Sequence, residues 1–194
     1  ASGSIALSDG DTMIQVMVTA EDGVTTQTYT LSAHRTGQDA SLMDLSISTG
    51  GFDPLFDPGT YDYSQITNAT SLAASAFSTD KYASVQLRIN GAIRPLNSEQ
   101  SLVIGRNTVV VSVTAEDGVP TRVYSIVVTR RSSDATLSSL VLSSGAIEPT
   151  FSPNVLSYNH TTNAVSLTVT PTTNYEHAVV EVNGSIVTSG IASA

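Results

Sequence analysis

Val18-Thr19-Ala20-Glu21-Asp22-Gly23 recurs without change as Val113-Thr114-Ala115-Glu116-Asp117-Gly118. An alternating apolar run leads into each copy: Ile14-Gln15-Val16-Met17-Val18 before the first, Val109-Val110-Val111-Ser112-Val113 before the second. Another leads out: Tyr29-Thr30-Leu31-Ser32-Ala33 and Tyr124-Ser125-Ile126-Val127-Val128. Apolar residues two apart share one face of a strand. Two such runs around a polar turn therefore predict a β-hairpin with one face turned to a core. Glu-Asp supplies turn-forming side chains, and the glycine can take positive φ.

The repetition runs well beyond the hairpin. Asp39-Ala40-Ser41-Leu42 matches Asp134-Ala135-Thr136-Leu137, an offset of 134 − 39 = 95. Phe56 and Phe151, Pro58 and Pro153, Tyr63 and Tyr158, and Arg35 and Arg130 keep the same offset. Asn90-Gly91 and Asn183-Gly184 stand 93 apart, so two residues are lost between Tyr63 and Asn90 in the later copy. The period predicts one complete unit over residues 38–133. Residues 1–37 read as the C-terminal part of a preceding repeat, and residues 134–194 as the N-terminal part of a following one.

Seven short strands are predicted inside the complete unit: Leu42–Ile47, Thr60–Ser64, Ser71–Phe77, Val85–Ile89, Ser101–Ile104, Thr108–Thr114 and Arg122–Thr129. The third is clearest in its counterpart Val165–Val169. Turn residues divide the strands, among them Gly50-Gly51, Asp57-Pro58-Gly59 and Asn90-Gly91. Seven strands in one period indicate an all-β, Ig-like two-sheet sandwich, repeated in tandem. The junctions His34–Asp39 and Arg130–Asp134 are short and polar, which predicts modules stacked end to end.

Composition narrows the function. The 194 residues carry a net charge of −9, with 17 acidic against 8 basic residues. No basic stripe is available for nucleic acid, nor a polybasic patch for an anionic membrane. No apolar run approaches the ~20 residues of a spanning helix. Ala1-Ser2-Gly3-Ser4 lacks the charged start and apolar block of a signal peptide. The count of zero cysteines excludes disulfides, thiolate metal sites and a cysteine nucleophile.

These anchors resemble a known family. Val18–Gly23 followed by Tyr29 and Arg35, and Val113–Gly118 followed by Tyr124 and Arg130, look like the end of a cadherin-like β-sandwich repeat. Leu42, Leu45, Gly50, Phe56, Pro58, Tyr61 and Tyr63 are similar to its start, and Leu137, Leu140, Gly145, Phe151, Pro153 and Tyr158 follow them. The resemblance implies an Ig-like fold in extracellular or cell-surface proteins, often in tandem, and no enzymatic activity. No Asp-x-Asn-Asp-Asn junction motif of the kind with which true cadherins hold calcium occurs here, and the one Asp-x-Asp, Asp9-Gly10-Asp11, stands without it.

Each candidate site has a bland reading beside it. The adjacent carboxylates Glu21-Asp22 and Glu116-Asp117 could serve a cation or acid–base chemistry, but read better as exposed turns. Asp9 and Asp11 around Gly10 could also bind a cation, but read better as a solvated strand-entry loop. His34, His160 and His177 lack metal-ligand spacing, and no Ser-His-acid set stands out. Phe56, Tyr61 and Tyr63 could form a sugar-binding face, though their recurrence favours the core. Asn68, Asn159 and Asn183 head N-x-Ser/Thr sequons and are candidate N-glycosylation sites. No catalytic residue, cofactor or metal is predicted.

The leading expectation is therefore a non-catalytic structural or spacer module of a long extracellular repeat protein. Its partners would be neighbouring repeats of the same protein. Two alternatives stand beside it. One is a filament subunit, in which residues 134–194 of one copy complete residues 1–37 of another. The other is an adhesion module that binds glycan or protein through loops 50–60 and 91–100.

Overall fold

The computed structural model describes residues 3–194, and every regular element in that span is a strand. Residues up to Arg131 form one compact unit and Ser132–Ala194 another.

The first unit opens with a hairpin of β1 (Gly10–Thr19) and β2 (Thr26–Arg35), antiparallel from Gly10↔Arg35 to Thr19↔Thr26. The turn closes by Ala20 N–H donating to Thr25 O at 2.8 Å, with Gly23 at φ 69°. Seven further segments follow: β3 (Leu42–Ile47), β4 (Asp62–Thr67), β5 (Ser71–Leu72), β6 (Ala74–Ser78), β7 (Ser84–Ile89), β8 (Ala92–Arg94) and β9 (Gln100–Ser101). A second hairpin, β10 (Gly105–Thr114) and β11 (Thr121–Arg130), ends the unit. One sheet has the order β4-β11-β10-β7-β8, with β4 parallel to β11 and the other pairs antiparallel. The pairs β3–β6 and β5–β9 supply the opposing layer, and inward residues of both layers share one core. The architecture is that of a β-sandwich.

Alternation decides which residues fill that core. Val109, Val111 and Val113 on β10 and Tyr124, Ile126 and Val128 on β11 point inward and are fully buried. They meet Leu42, Leu72 and Leu87 from β3, β5 and β7. β3 departs from strict alternation, because Leu42 and Leu45 are three apart and both are buried. A register shift between Leu42 and Asp44 accommodates this by adding one residue, which rephases the strand so that Ile47 also faces in.

Two tyrosines tie loops to this core. Tyr124 Oη accepts from Leu42 N–H at 3.1 Å and donates to Pro58 O at 3.0 Å. Tyr63 Oη lies 2.7 Å from Thr60 O and 2.8 Å from Asp57 O, capping the loop before β4.

The second unit contains β12 (Leu137–Leu142), β13 (Val169–Thr173), β14 (Val180–Val182) and β15 (Ser185–Val187). The β12–β13 register, from Leu137↔Thr173 to Leu142↔Val169, equals that of β3–β6 moved by 95 residues, and its shift falls at Leu137/Ser139. β14–β15 equals β7–β8 moved by 93. Ala83 N–H donates to Asp80 O, and Ala178 N–H to Tyr175 O, still at an offset of 95. The two-residue loss therefore falls between Ala83 and Leu87, at the entry to β7, where a strand end absorbs it.

Several sequence expectations need adjustment. The expected third strand is divided at Ala73, because β5 pairs with β9 whereas β6 pairs with β3. Ala73 itself bonds Ser48, accepting from its N–H and donating to its Oγ, both at 2.8 Å. The expected strand Val165–Val169 does not form; pairing begins at Val169, and Val165 is fully exposed. β4 starts two residues later than expected, and the predicted strand Ser101–Ile104 is the short β9. β8 escaped prediction because all three of its residues are exposed and show no apolar alternation.

Candidate functional site

The two hexapeptides that carry Glu-Asp are identical in sequence and differ in fate. Glu21 and Asp22 are exposed. Asp22 Oδ1 accepts from Val24 N–H at 3.0 Å and Thr25 N–H at 2.9 Å, and Oδ2 from the Thr25 hydroxyl at 2.6 Å. These bonds, that of the Thr25 hydroxyl foremost, favour the carboxylate and hold Asp22 down at about 2. This is the expected turn.

Glu116 is a correction to the same expectation. Its Oε1 lies 2.6 Å from His34 Nε2, and its Oε2 accepts from Gly37 N–H at 3.0 Å. The neighbouring Asp117 N–H donates to Gly37 O at 3.2 Å. Glu116 is thus a clamp from the β10–β11 turn onto the end of β2 and the segment that follows it.

Asp11 is likewise more than a solvated loop residue. It sits on β1 directly opposite His34 of β2, and its Oδ1 lies 2.8 Å from His34 Nδ1. Tyr82 Oη donates to Asp11 Oδ2 at 3.1 Å, and the Tyr82 ring meets the His34 ring edge-on at 4.9 Å. Lys81 Nζ stands 4.4 Å over the Tyr82 ring. Asp9 pairs with Arg35 at 3.0 Å.

Carboxylates therefore face both ring nitrogens of His34. Only the imidazolium can donate to both, so this geometry selects the charged ring. The pKa of His34 is raised, first by Asp11 and then by Glu116. Asp11 is lowered, chiefly by His34 and then by Tyr82. The cluster joins the base of the β1–β2 hairpin to the sandwich through groups on β1, β2, the loop before β7 and the β10–β11 turn.

A hollow of about 440 Å³ lies beside it, lined by Asp9, Asp39, Asp80, Lys81 and Tyr82 among others. Asp39 is already engaged there, accepting from Ser41 N–H at 2.7 Å and the Ser41 hydroxyl at 2.6 Å. Among the described residues, no group of three or more His, Asp or Glu side chains is arranged to hold a metal ion.

The remaining candidates lie apart. His160 Nδ1 bonds Ala146 O at 2.9 Å, and His177 lies beside Tyr175 and Glu176. Tyr63 is buried and Phe56 packs against the core, whereas Tyr61 is partly exposed with its ring 5.3 Å from that of Tyr124. The aromatic trio is thus spent mostly on packing. Loop 50–60 is tied down where Asp53 and Ser64 exchange two backbone bonds of 2.8 Å. Loop 91–100 is held by Asn97 N–H donating to Ala74 O at 2.8 Å. Asn68, Asn159 and Asn183 are all exposed, and Asn183 (φ 51°) and Gly184 (φ 80°) form the β14–β15 turn.

Sequence reasoning weighed His34 only as a metal ligand, because its carboxylate partners lie 23 and 82 residues away, and it missed Asn107. Asn107, the one buried polar residue of the core among the described residues, sits at an inward position of β10. Its Oδ1 accepts from Asn90 Nδ2 at 3.0 Å and Val103 N–H at 2.9 Å, and its amide donates to Val103 O at 2.8 Å. Its polar type on an inward phase was the available signal.

A family model described as a cadherin-like beta sandwich domain matches residues 1–36 and again 42–131. No curated protein matches the chain. Domains of this family are generally non-catalytic structural or adhesion modules, typical of extracellular or cell-surface proteins.

Proposed function

The chain belongs to the cadherin-like beta sandwich domain family, and from that premise we propose that it is a non-catalytic spacer of a long extracellular repeat protein, such as a stalk, sheath or adhesin array. The observation that carries this reading is the recurrence of whole hydrogen-bond registers. β1–β2 repeats in β10–β11, and β3–β6 repeats in β12–β13, both at 95 residues. On this reading residues 38–133 are one module, flanked by the end of one repeat at 1–37 and the start of another at 134–194. The His34–Asp11–Glu116 cluster supports it as well, since it braces the junction between consecutive modules. Neighbouring repeats are the principal partners, and exposed Asn68, Asn159 and Asn183 are the positions for glycans in a secretory setting.

A spacer must resist extension. Pulling the 194-residue chain from its two ends should give one abrupt unfolding step for residues 38–133, of roughly 330 Å at about 3.4 Å per residue. Smooth extension at low force would defeat the mechanical reading. A glycan array offers the competing result: selective binding lost on changing loop 50–60 or 91–100 would make the chain an adhesion module instead.

A further inference from the structure

Asp11, His34 and Glu116 form one unbroken bridge. Asp11 stands on β1, His34 opposite it on β2, and Glu116 in the β10–β11 turn of the sandwich. His34 Nδ1 lies 2.8 Å from Asp11 Oδ1, and its Nε2 lies 2.6 Å from Glu116 Oε1. Each span needs a proton between nitrogen and oxygen, and a neutral imidazole has only one to give. Once the ring is neutral, a nitrogen lone pair faces a carboxylate lone pair across one of these spans. That contact turns repulsive, and the bridge from hairpin to sandwich opens there. Glu116 still holds Gly37 N–H at 3.0 Å, and Asp11 still holds the Tyr82 hydroxyl at 3.1 Å, so the hairpin stays tethered. The other charged groups nearby are Lys81 over the Tyr82 ring, Asp80 against Gly37, and Asp9 paired with Arg35. Of these residue types only imidazole ordinarily changes charge between about pH 5 and 8.

The bridge does not recur with the repeat. At the offset of 95, Thr129 takes the place of His34 and Arg106 that of Asp11, again opposite each other in the register. His177 takes the place of Tyr82 and, among the described residues, pairs only with its neighbour Glu176. The base of β1–β2 therefore carries a device that the base of β10–β11 lacks.

We propose that this bridge is a proton-operated joint: it fixes the β1–β2 hairpin on the sandwich while His34 is an imidazolium, and lets the hairpin swing about the segment after β2 once the ring is neutral. The proposal deepens the spacer reading and rests on it, because there the hairpin is the end of a preceding module. The joint then sets the stiffness of one junction in the array and leaves the next one indifferent to pH at the matching positions. Asp11 first, and then Glu116, raise the pKa of His34. The joint thus stays closed to a higher pH than an unpaired imidazole would allow.

The test uses the 194-residue chain, which has no cysteine of its own. Nitroxides are attached at Val24→Cys in the hairpin turn and Leu55→Cys in the sandwich, both highly exposed positions. Pulsed electron paramagnetic resonance reads the spread of distances between them, and the ring signals of His34 locate its titration. The spread should be narrow below the His34 midpoint and widen about twofold above it, reversibly. His34→Gln has no proton to lose over that range, so its spread should not change with pH. Glu116→Gln should invert the response. Its amide oxygen can still accept from Gly37 N–H while its NH2 donates to the neutral Nε2, so the closed joint moves to the higher pH. Both side chains lie outside the aliphatic core, so the variants should keep the urea midpoint of the sandwich. A spread that ignores the His34 titration overturns the proposal. So does the same widening in His34→Gln, or an uninverted response in Glu116→Gln. A chain that fails this test yet unfolds in the abrupt step loses the joint and keeps the spacer. One that passes it but extends smoothly keeps the joint and loses the spacer.

Discussion

Hairpins β1–β2 and β10–β11 share the Val-Thr-Ala-Glu-Asp-Gly hexapeptide and a register, yet only one of them lies in a core. Their difference separates two things that β-structure usually presents together. Turn chemistry and strand alternation are local, so both copies pair identically. Burial is supplied by residues elsewhere in the chain, and β3, β5 and β6 of the opposing layer cover only the second copy. A lone two-stranded hairpin is marginal in water. β1–β2 is held to its unit at its base, where His34, Asp11, Glu116 and Tyr82 converge, and not through its apolar face.

Paired substitutions test this contrast, and the largest effect is expected in the aliphatic core. Ile126→Ala should destabilise the sandwich by about 2–5 kcal/mol, the range for a large buried aliphatic side chain. Leu31→Ala, its counterpart on β2, should stay within about 0.5 kcal/mol in dilute chain. Urea midpoints of the two variants give the comparison. Similar losses for both would show that β1–β2 is covered within a single copy.

Tyrosine gives a smaller version of the same contrast. Tyr124→Phe leaves the buried Leu42 N–H without its acceptor and Pro58 O without its donor, which should cost about 1–3 kcal/mol. Tyr29→Phe changes an exposed ring and should cost less than about 0.5 kcal/mol. Denaturant unfolding reads both, and equal costs would contradict the assigned role of the Tyr124 hydroxyl.

The smallest effect concerns pH at the hairpin base. His34 is raised above 6.5, so its contribution is complete below that value and fades as pH rises through the raised one. Asp11 is lowered below 3.8, so its contribution is present above that value and fades as pH falls through the lowered one. The junction should be tightest between the two. Amide protection at Gly37 and Asp117, corrected for intrinsic exchange, should fall severalfold above the raised His34 value. His34→Gln should flatten that dependence, and an unchanged profile would remove His34 from the junction.

Much of the fold was legible in the residues. The phase of Val109, Val111, Val113, Tyr124 and Ile126 marks an inward face, and Asn90-Gly91 marks a tight turn; the geometry agrees in both cases. The division at Ala73 was not legible, because Leu72, Ala74 and Ala76 keep one unbroken alternation while the strand changes partners. The candidate site was less visible still. Glu21 and Glu116 stand in identical hexapeptides, and no local pattern distinguishes an exposed turn from a clamp on His34.

The chain's own order of residues determined the strands, the turns and the 95-residue recurrence, because alternation and turn chemistry act over a few neighbours. Only the tertiary structure decided which hairpin is covered, where Glu116 reaches and why His34 is held charged. Those outcomes depend on residues far apart in sequence that packing brings within bonding distance.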